Sequence, residues 1–279
     1  MPTFFELTSA AESELGVAGV DTPRLDAEVL LAHCAGLSRA GLIARFRDRA
    51  PESVAAALPC LVDARCRRQP VAYLVGEKEF YSLSFRVTSD VLIPRPETEL
   101  LVEAALARMP AGALVCDVGT GSGCIAVALA SQAPAARLVA CDLSSAALLI
   151  AAENARRHGV DDRVELVLSD LFAAVDVARR FDVVVSNPPY VATAAALDAE
   201  LDWEPEMALR AGREGMDVIE PLLTAARSRL RPGGVVMVEI GADQERAARR
   251  AARAAGYATV DVRRDLAGLP RLVVAEAGV

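Results

Sequence analysis

Hydrophobic and polar positions follow two regimes along the chain. Up to about residue 72 apolar side chains recur at helical spacing, through Leu25, Val29, Leu30 and His33 and again through Leu42, Ile43 and Phe46, the period expected of one buried helix face. Thr22-Pro23 and Pro51-Glu52 offer helix starts, because proline suits a first turn that leaves its N–H unused. Gly36-Leu37-Ser38 and Gly41 interrupt the run. No strand-like alternation precedes residue 73, so residues 1–72 read as a bundle of roughly four or five helices. Over residues 73–93 the character changes. Phe80, Leu83, Phe85 and Val87 are strand formers with polar residues between them, which predicts a hairpin linker.

Residues 94–279 open with a helix from Pro94-Arg95-Pro96-Glu97-Thr98-Glu99 to about Arg108. Apolar strands are then expected at 114–116, 138–141, 164–168, 181–185 and 234–240, with helices at 125–131, 146–158 and 221–230. Strands alternating with helices imply a parallel sheet covered on both faces. Two further strand candidates, 257–262 and 271–275, are joined by Asp265-Leu266-Ala267-Gly268. They predict an antiparallel hairpin at the sheet edge. The fold class is therefore α/β: a Rossmann-like, mostly parallel seven-stranded sheet with an antiparallel C-terminal hairpin, preceded by a small helical bundle domain.

Composition narrows the function. Thirty basic against 38 acidic residues leave a net charge of −8, the wrong sign for coating a nucleic acid backbone. Six cysteines without a C-x-x-C pair, and only His33 and His158, predict neither a zinc site nor a disulfide framework. The start, MPTFFELTSAAESEL, lacks the basic region of a secretory signal. The longest uncharged stretch, residues 118–136, contains three glycines and Pro134, so no membrane span is expected. Those features point to a cytoplasmic protein with no metal, no stable nucleic acid and no membrane partner. Charge is spread evenly, so a monomer is expected.

Two motifs carry the chemistry. Asp117-Val118-Gly119-Thr120-Gly121-Ser122-Gly123 follows a strand and opens a helix, where glycines admit a ligand to the backbone and a helix N-terminus favours negative groups. The spacing is G-x-G-x-G, and Cys124 follows. That departs from the dinucleotide fingerprint G-x-G-x-x-G and points to S-adenosylmethionine. Asp142 ends the next strand, 19 residues after Gly123, where a carboxylate can accept both ribose hydroxyls. Asp170 ends the third strand at the adenine end, or else caps the following turn; Leu171 can cover the base. The fourth strand ends in Asn187-Pro188-Pro189-Tyr190. Prolines lack an N–H, so their carbonyls and that of Asn187 are fixed acceptors beside the Asn187 side chain and the flat ring of Tyr190. Such a loop suits a planar NH2 group, whose nitrogen gains positive charge in the transition state. Asn187-Pro188-Pro189-Tyr190 resembles the tetrapeptide of methyltransferases acting on adenine amino groups, so by itself it leaves the substrate open.

The chain resembles the HemK/PrmC family, the peptide chain release factor N5-glutamine methyltransferases. The likeness is carried by Asp26-Ala27-Glu28-Val29-Leu30-Leu31-Ala32-His33, by Arg68-Gln69-Pro70-Val71-Ala72-Tyr73-Leu74-Val75-Gly76, and by Phe80 with Val91-Leu92-Ile93-Pro94-Arg95-Pro96-Glu97-Thr98-Glu99. Glu204-Pro205-Glu206-Met207-Ala208-Leu209, Gly212, Gly215-Met216-Asp217 and Asp265-Leu266-Ala267-Gly268 extend it. The resemblance implies S-adenosylmethionine as methyl donor, S-adenosylhomocysteine as product, and the Gly-Gly-Gln glutamine of class 1 release factors as acceptor in translation termination. It assigns Gly119, Thr120, Gly121, Ser122, Gly123, Asp142, Leu171 and Asn187 to the cofactor, to which the strand-end position adds Asp170. Asn187, Pro188, Pro189 and Tyr190 are assigned to substrate binding and catalysis. Residues 1–72 would dock the release factor. Arg95 and Glu97 read either as cofactor mouth or as a helix-start charge pair, Glu204 as a closing loop residue or a solvated loop carboxylate, and Arg65, Arg67 and Arg68 as a solvated basic face rather than a patch for the release factor.

Overall fold

A computed structural model describes residues 1–278 and divides into two compact units. The first holds Met1–Glu77 with Leu197–Trp203; the second holds Lys78–Ala196 and the chain from Glu204 onward. In the first unit helices α1 (Phe4–Val17), α2 (Pro23–Ala35), α3 (Arg39–Ile43), α4 (Glu52–Cys66) and α5 (Val71–Val75) enclose Leu15, Leu30, Leu31 and Leu42. The Thr3 hydroxyl and Glu6 carboxylate cap α1 reciprocally. Thr22 precedes α2 but does not cap it with its side chain; its hydroxyl donates to the Asp26 carboxylate at 2.8 Å. Gly36 ends α2 in the left-handed region. Gly41, expected to break the helical run, lies inside α3, where its N–H donates to the Ser38 hydroxyl.

Two of the three arginines expected on a solvated face depart from it: Arg68 is half-buried and donates to the Gly19 carbonyl at 2.6 Å, while Arg67 is exposed. Arg65 is buried, donating from Nε to Asp26 and from Nη2 to Glu200, each at 2.7 Å. A guanidinium away from water must be paired, because a lone buried charge is costly. The pairing also ties Leu197–Trp203, distant in sequence, to the helical unit.

From Lys78 the second unit opens with the hairpin of β1 (Glu77–Phe80) and β2 (Leu83–Arg86), the first residue of β1 belonging to the helical unit. Tyr81 and Ser82 both have positive φ, the conformation of a two-residue turn that matches strand twist. Then follow α6 (Glu99–Leu106), β3 (Leu114–Val118), α7 (Cys124–Gln132), β4 (Arg137–Asp142), α8 (Ser145–Arg157), β5 (Val164–Leu168), β6 (Phe181–Ser186), α9 (Glu206–Leu209) and α10 (Ile219–Arg229). The chain closes with β7 (Leu230–Glu239), α11 (Glu245–Ala254), β8 (Thr259–Arg264) and β9 (Pro270–Glu276).

The sheet order is β5-β4-β3-β6-β7-β9-β8, parallel from β5 to β7 and antiparallel in the C-terminal hairpin. That is the expected sheet, with β9 inserted beside β7 and β8 left at the edge. Alternation along each strand sends side chains to opposite faces. Val115, Leu138, Val183 and Val185 pack under α6 and α7, while Cys116, Val139, Val184 and Val236 pack under α10 and α11. Helix α11 was not expected, because its inward stripe consists of alanines such as Ala248 and Ala252 rather than large apolar residues. Among the described residues no helix is long and apolar enough to cross a membrane.

The long connection after β6 is pinned at several points. Val191 exchanges backbone hydrogen bonds with Leu209 and Ala211, and the Gln244 amide donates to the Tyr190 carbonyl at 2.8 Å. Gly215 closes the gap between them with φ +70°, and a Cβ there would lie 2.0 Å from the Tyr190 oxygen and 2.4 Å from Gln244 Nε2. Gly215→Ala should therefore lower stability by about 1–3 kcal/mol in urea unfolding. Gly16→Ala, in α1 with open space around it, should raise stability by roughly 0.5–1 kcal/mol. A neutral Gly215→Ala would show that the loop is not held as described.

Candidate active site

The parallel pairing of β3 with both β4 and β6 brings three strand ends to one edge of the sheet. Sheet order reverses around β3, and such a switch point leaves a crevice at the carboxyl ends of the strands. A cleft of about 1140 Å³, its open mouth included, lies there. Its walls include the glycine turn, Asp142 with Leu143, Asp170 with Leu171, and Asn187 with the two prolines.

The turn is held from below. Gly119 and Thr120 donate backbone N–H groups to the Cys141 carbonyl at 2.8 and 3.0 Å, and the Thr120 hydroxyl donates to Asp117 at 2.6 Å. Gly123 does not line the cleft. Its φ is +80°, and a Cβ would meet Ala151 of α8 at 3.1 Å, so this glycine allows helix packing. Asp142 accepts the Gly121 N–H at 2.8 Å and the Ser144 N–H at 2.9 Å. A carboxylate has about four acceptor positions, which leaves capacity towards the cleft. The Ser169 hydroxyl, which accepts from Ala174 at 2.9 Å, caps the turn after β5, while Asp170 stays exposed along the cleft. Leu171 adopts φ 47°, unusual for a side chain with a Cβ. Its carbonyl accepts from the Cys141 thiol.

At the end of β6 the Ser186 hydroxyl donates to the Val118 carbonyl at 2.6 Å, locking Asn187 beside the glycine turn. Asn187 Nδ2 donates to Thr98 Oγ at 3.1 Å, and Thr98 donates in turn to Glu239 Oε2 at 2.7 Å. Asn187 Oδ1 is buried without a partner. Buried acceptors are rarely left so, and this one points to a donor supplied from outside. Tyr190, expected as a wall of the slot, is not among the cleft-lining residues. Its hydroxyl faces Glu239 at 3.4 Å.

Two buried carboxyls set the electrostatics. Loss of water pushes Asp117 up to about 7, although the Thr120 hydroxyl and a backbone N–H pull the other way. Burial raises Glu239 to about 7 as well, against the hydroxyls of Thr98 and Tyr190 and the charge of Arg271. The Tyr190 phenol is pushed up to about 12 by burial and by Glu239.

Gly119, Thr120, Gly121, Ser122, Asp142, Asp170, Leu171, Asn187, Pro188 and Pro189 thus share one cleft. Arg95 lines it and pairs with Glu204, which is buried and also accepts the Ile93 N–H at 3.0 Å. Glu97 is exposed. Glu239 and the role of Thr98 escaped sequence reading. The available signal was a lone carboxylate at the end of the apolar run Val235–Val238. Leu143, exposed beside Asp142 in the cleft wall, was also passed over.

Comparison with known proteins accounts for both units. Residues 6–76 match the PrmC N-terminal domain, and residues 96–204 match the methyltransferase small domain. A release factor glutamine methyltransferase of Cereibacter sphaeroides is 49% identical over 95% of this chain and 95% of its own. Its counterpart in Moorella thermoacetica is 42% identical over 98% of each. A solved methyltransferase from Pyrococcus furiosus shares the fold, with a TM-score of 0.56 at 18% identity, covering 78% of this chain and 99% of its own. With relatives this similar along nearly its whole length, the chain belongs to the release factor glutamine methyltransferase family.

Proposed function

We propose that this protein transfers a methyl group from S-adenosylmethionine to the side-chain amide nitrogen (N5) of the Gly-Gly-Gln glutamine in class 1 release factors. The observation that carries the reading is the partnerless, buried Asn187 Oδ1 at the cleft. A glutamine amide supplies two N–H donors in one plane, and a carbonyl oxygen from the Asn187-Pro188-Pro189 backbone can take the second. An amide nitrogen is a weak nucleophile because its lone pair is delocalised. Two acceptors fixed beforehand favour the positive charge that builds on that nitrogen, and holding it in line supplies much of the remaining barrier reduction.

The cleft fits the donor chemically. Gly119–Ser122 line the cleft, Asp142 retains acceptor capacity for ribose hydroxyls, and Leu143 and Leu171 offer apolar walls to a base. When bound, S-adenosylmethionine supplies an electrophilic methyl group. Asp142 orients the ribose, Asn187 holds the substrate nitrogen, and the loop pinned by Arg95 and Glu204 lies along the cleft. No histidine is needed, since the proton can leave after transfer. The helical unit docks the body of the release factor, and the flexible glycines of the Gly-Gly-Gln loop let its glutamine enter.

Mass spectrometry of a purified release factor incubated with the protein and S-adenosylmethionine should show one added methyl on that glutamine. Asn187→Ala should reduce transfer by about a hundredfold or more while donor binding by calorimetry changes little. Methyl appearing on DNA adenine instead would overturn the substrate assignment. Removing residues 1–72 should weaken methylation of whole release factor far more than donor binding; equal loss of both would refute the docking role.

A further inference from the structure

We infer that Thr98 and Glu239 are positioning residues for methyl transfer, holding the Asn187 amide with its oxygen towards the substrate nitrogen. The inference rests on the reading of Asn187 as acceptor for the substrate amide. An asparagine amide has two faces of similar shape and opposite polarity, and the hydrogen-bond network decides which way it turns. Here that network is one-directional. Glu239, when ionised, can only accept, so the single Thr98 proton goes to Glu239 Oε2 at 2.7 Å. Thr98 Oγ is left as an acceptor, and only the NH2 of Asn187 can satisfy it, which it does at 3.1 Å. The amide oxygen must then face the cleft, where it has no other partner.

All three groups sit where the fold makes them adjacent. Asn187 follows β6 and Glu239 ends β7, the parallel neighbour in which Ser186 pairs with Val238. Thr98 lies in the turn that opens α6. Thr98 and Glu239 are 1% and 3% exposed, so water does not compete for these bonds.

The relay has a protonation state. Besides Thr98, Glu239 is faced by the Tyr190 hydroxyl at 3.4 Å, by Arg271 of β9, and by Glu97 of the turn before α6. The Cys124 thiol of α7 also senses its charge. Arg271 favours the ionised form and Glu97 opposes it; burial dominates and brings the group to about 7. A protonated Glu239 can donate to Thr98 Oγ. The Thr98 proton is then free to point at Asn187, and the amide is free to turn its NH2 into the cleft, donor against donor. Transfer therefore requires ionised Glu239 and declines as pH falls through its titration.

Asp117 titrates in the same range, but it supports the glycine turn, so its proton alters donor affinity. Single-turnover transfer to a release factor at saturating S-adenosylmethionine, with donor affinity measured separately by calorimetry, separates the two. The unmodified protein should lose transfer rate about tenfold per pH unit below about 7. Glu239→Gln should abolish that limb. Thr98→Val should slow transfer by about a hundredfold with little change in donor affinity, and Thr98→Ser, which restores the hydroxyl, should recover most of the loss. A limb that survives Glu239→Gln, a Thr98→Val protein as fast as the unmodified one, or a Thr98→Ser protein as slow as Thr98→Val would overturn the inference. Absence of transfer by the unmodified protein at every pH would instead refute the function on which it rests.

Discussion

Parallel pairing on both sides of β3 is the constraint from which the cleft follows. With Val118 in register with Cys141 of β4 and Asp117 in register with Val185 of β6, the chain leaves all three strands at one edge. Gly119, Asp142 and Asn187 therefore emerge side by side although up to 68 residues separate them in sequence. Hydrogen bonds to backbone carbonyls then join the strand ends. Cys141 receives Gly119 and Thr120, and Val118 receives the Ser186 hydroxyl. The site is built on the ends of rigid strands rather than on free loops, which suits a reaction that depends on positioning.

Burial beneath that edge has a second consequence. Asp117 and Glu239 are both enclosed, and each stabilises a neighbouring turn by accepting a hydroxyl proton, from Thr120 and from Thr98. A solvated carboxylate would share its lone pairs with water and would impose no direction on its donor. Enclosed, it orients the hydroxyl, and the hydroxyl orients what lies beyond it. The same enclosure raises both groups towards neutral pH.

Loops at the cleft are fastened by groups remote in sequence. Glu204 is taken by Arg95 and the Ile93 N–H, and Tyr190 is held through its carbonyl by Gln244. Gly215 allows these backbones to meet, since no Cβ fits between them. In the helical unit Arg65 joins Asp26 to Glu200 in the same manner. Glu204, Arg65 and Asp26 are buried, and a buried charge without its partner is more costly than the pair is stabilising.

Much of this was legible along the chain because it is local. Strand–helix alternation, the G-x-G-x-G turn and the rigid Asn187-Pro188-Pro189 segment each depend on neighbouring residues, and periodicity alone exposes them. Helix α11 escaped because alanine carries little hydrophobic signal, and Gly41 was misread because a single glycine is tolerated within a short helix capped by Ser38. Tertiary structure decided the rest. Whether Arg65 is solvated or paired, whether Tyr190 faces the cleft or Glu239, and which way the Asn187 amide points are settled by partners 39 to 141 residues away. No local pattern encodes such contacts, because the direction of a hydrogen bond is set by burial and by the partner's lone pairs, which exist only once the sheet has brought them together.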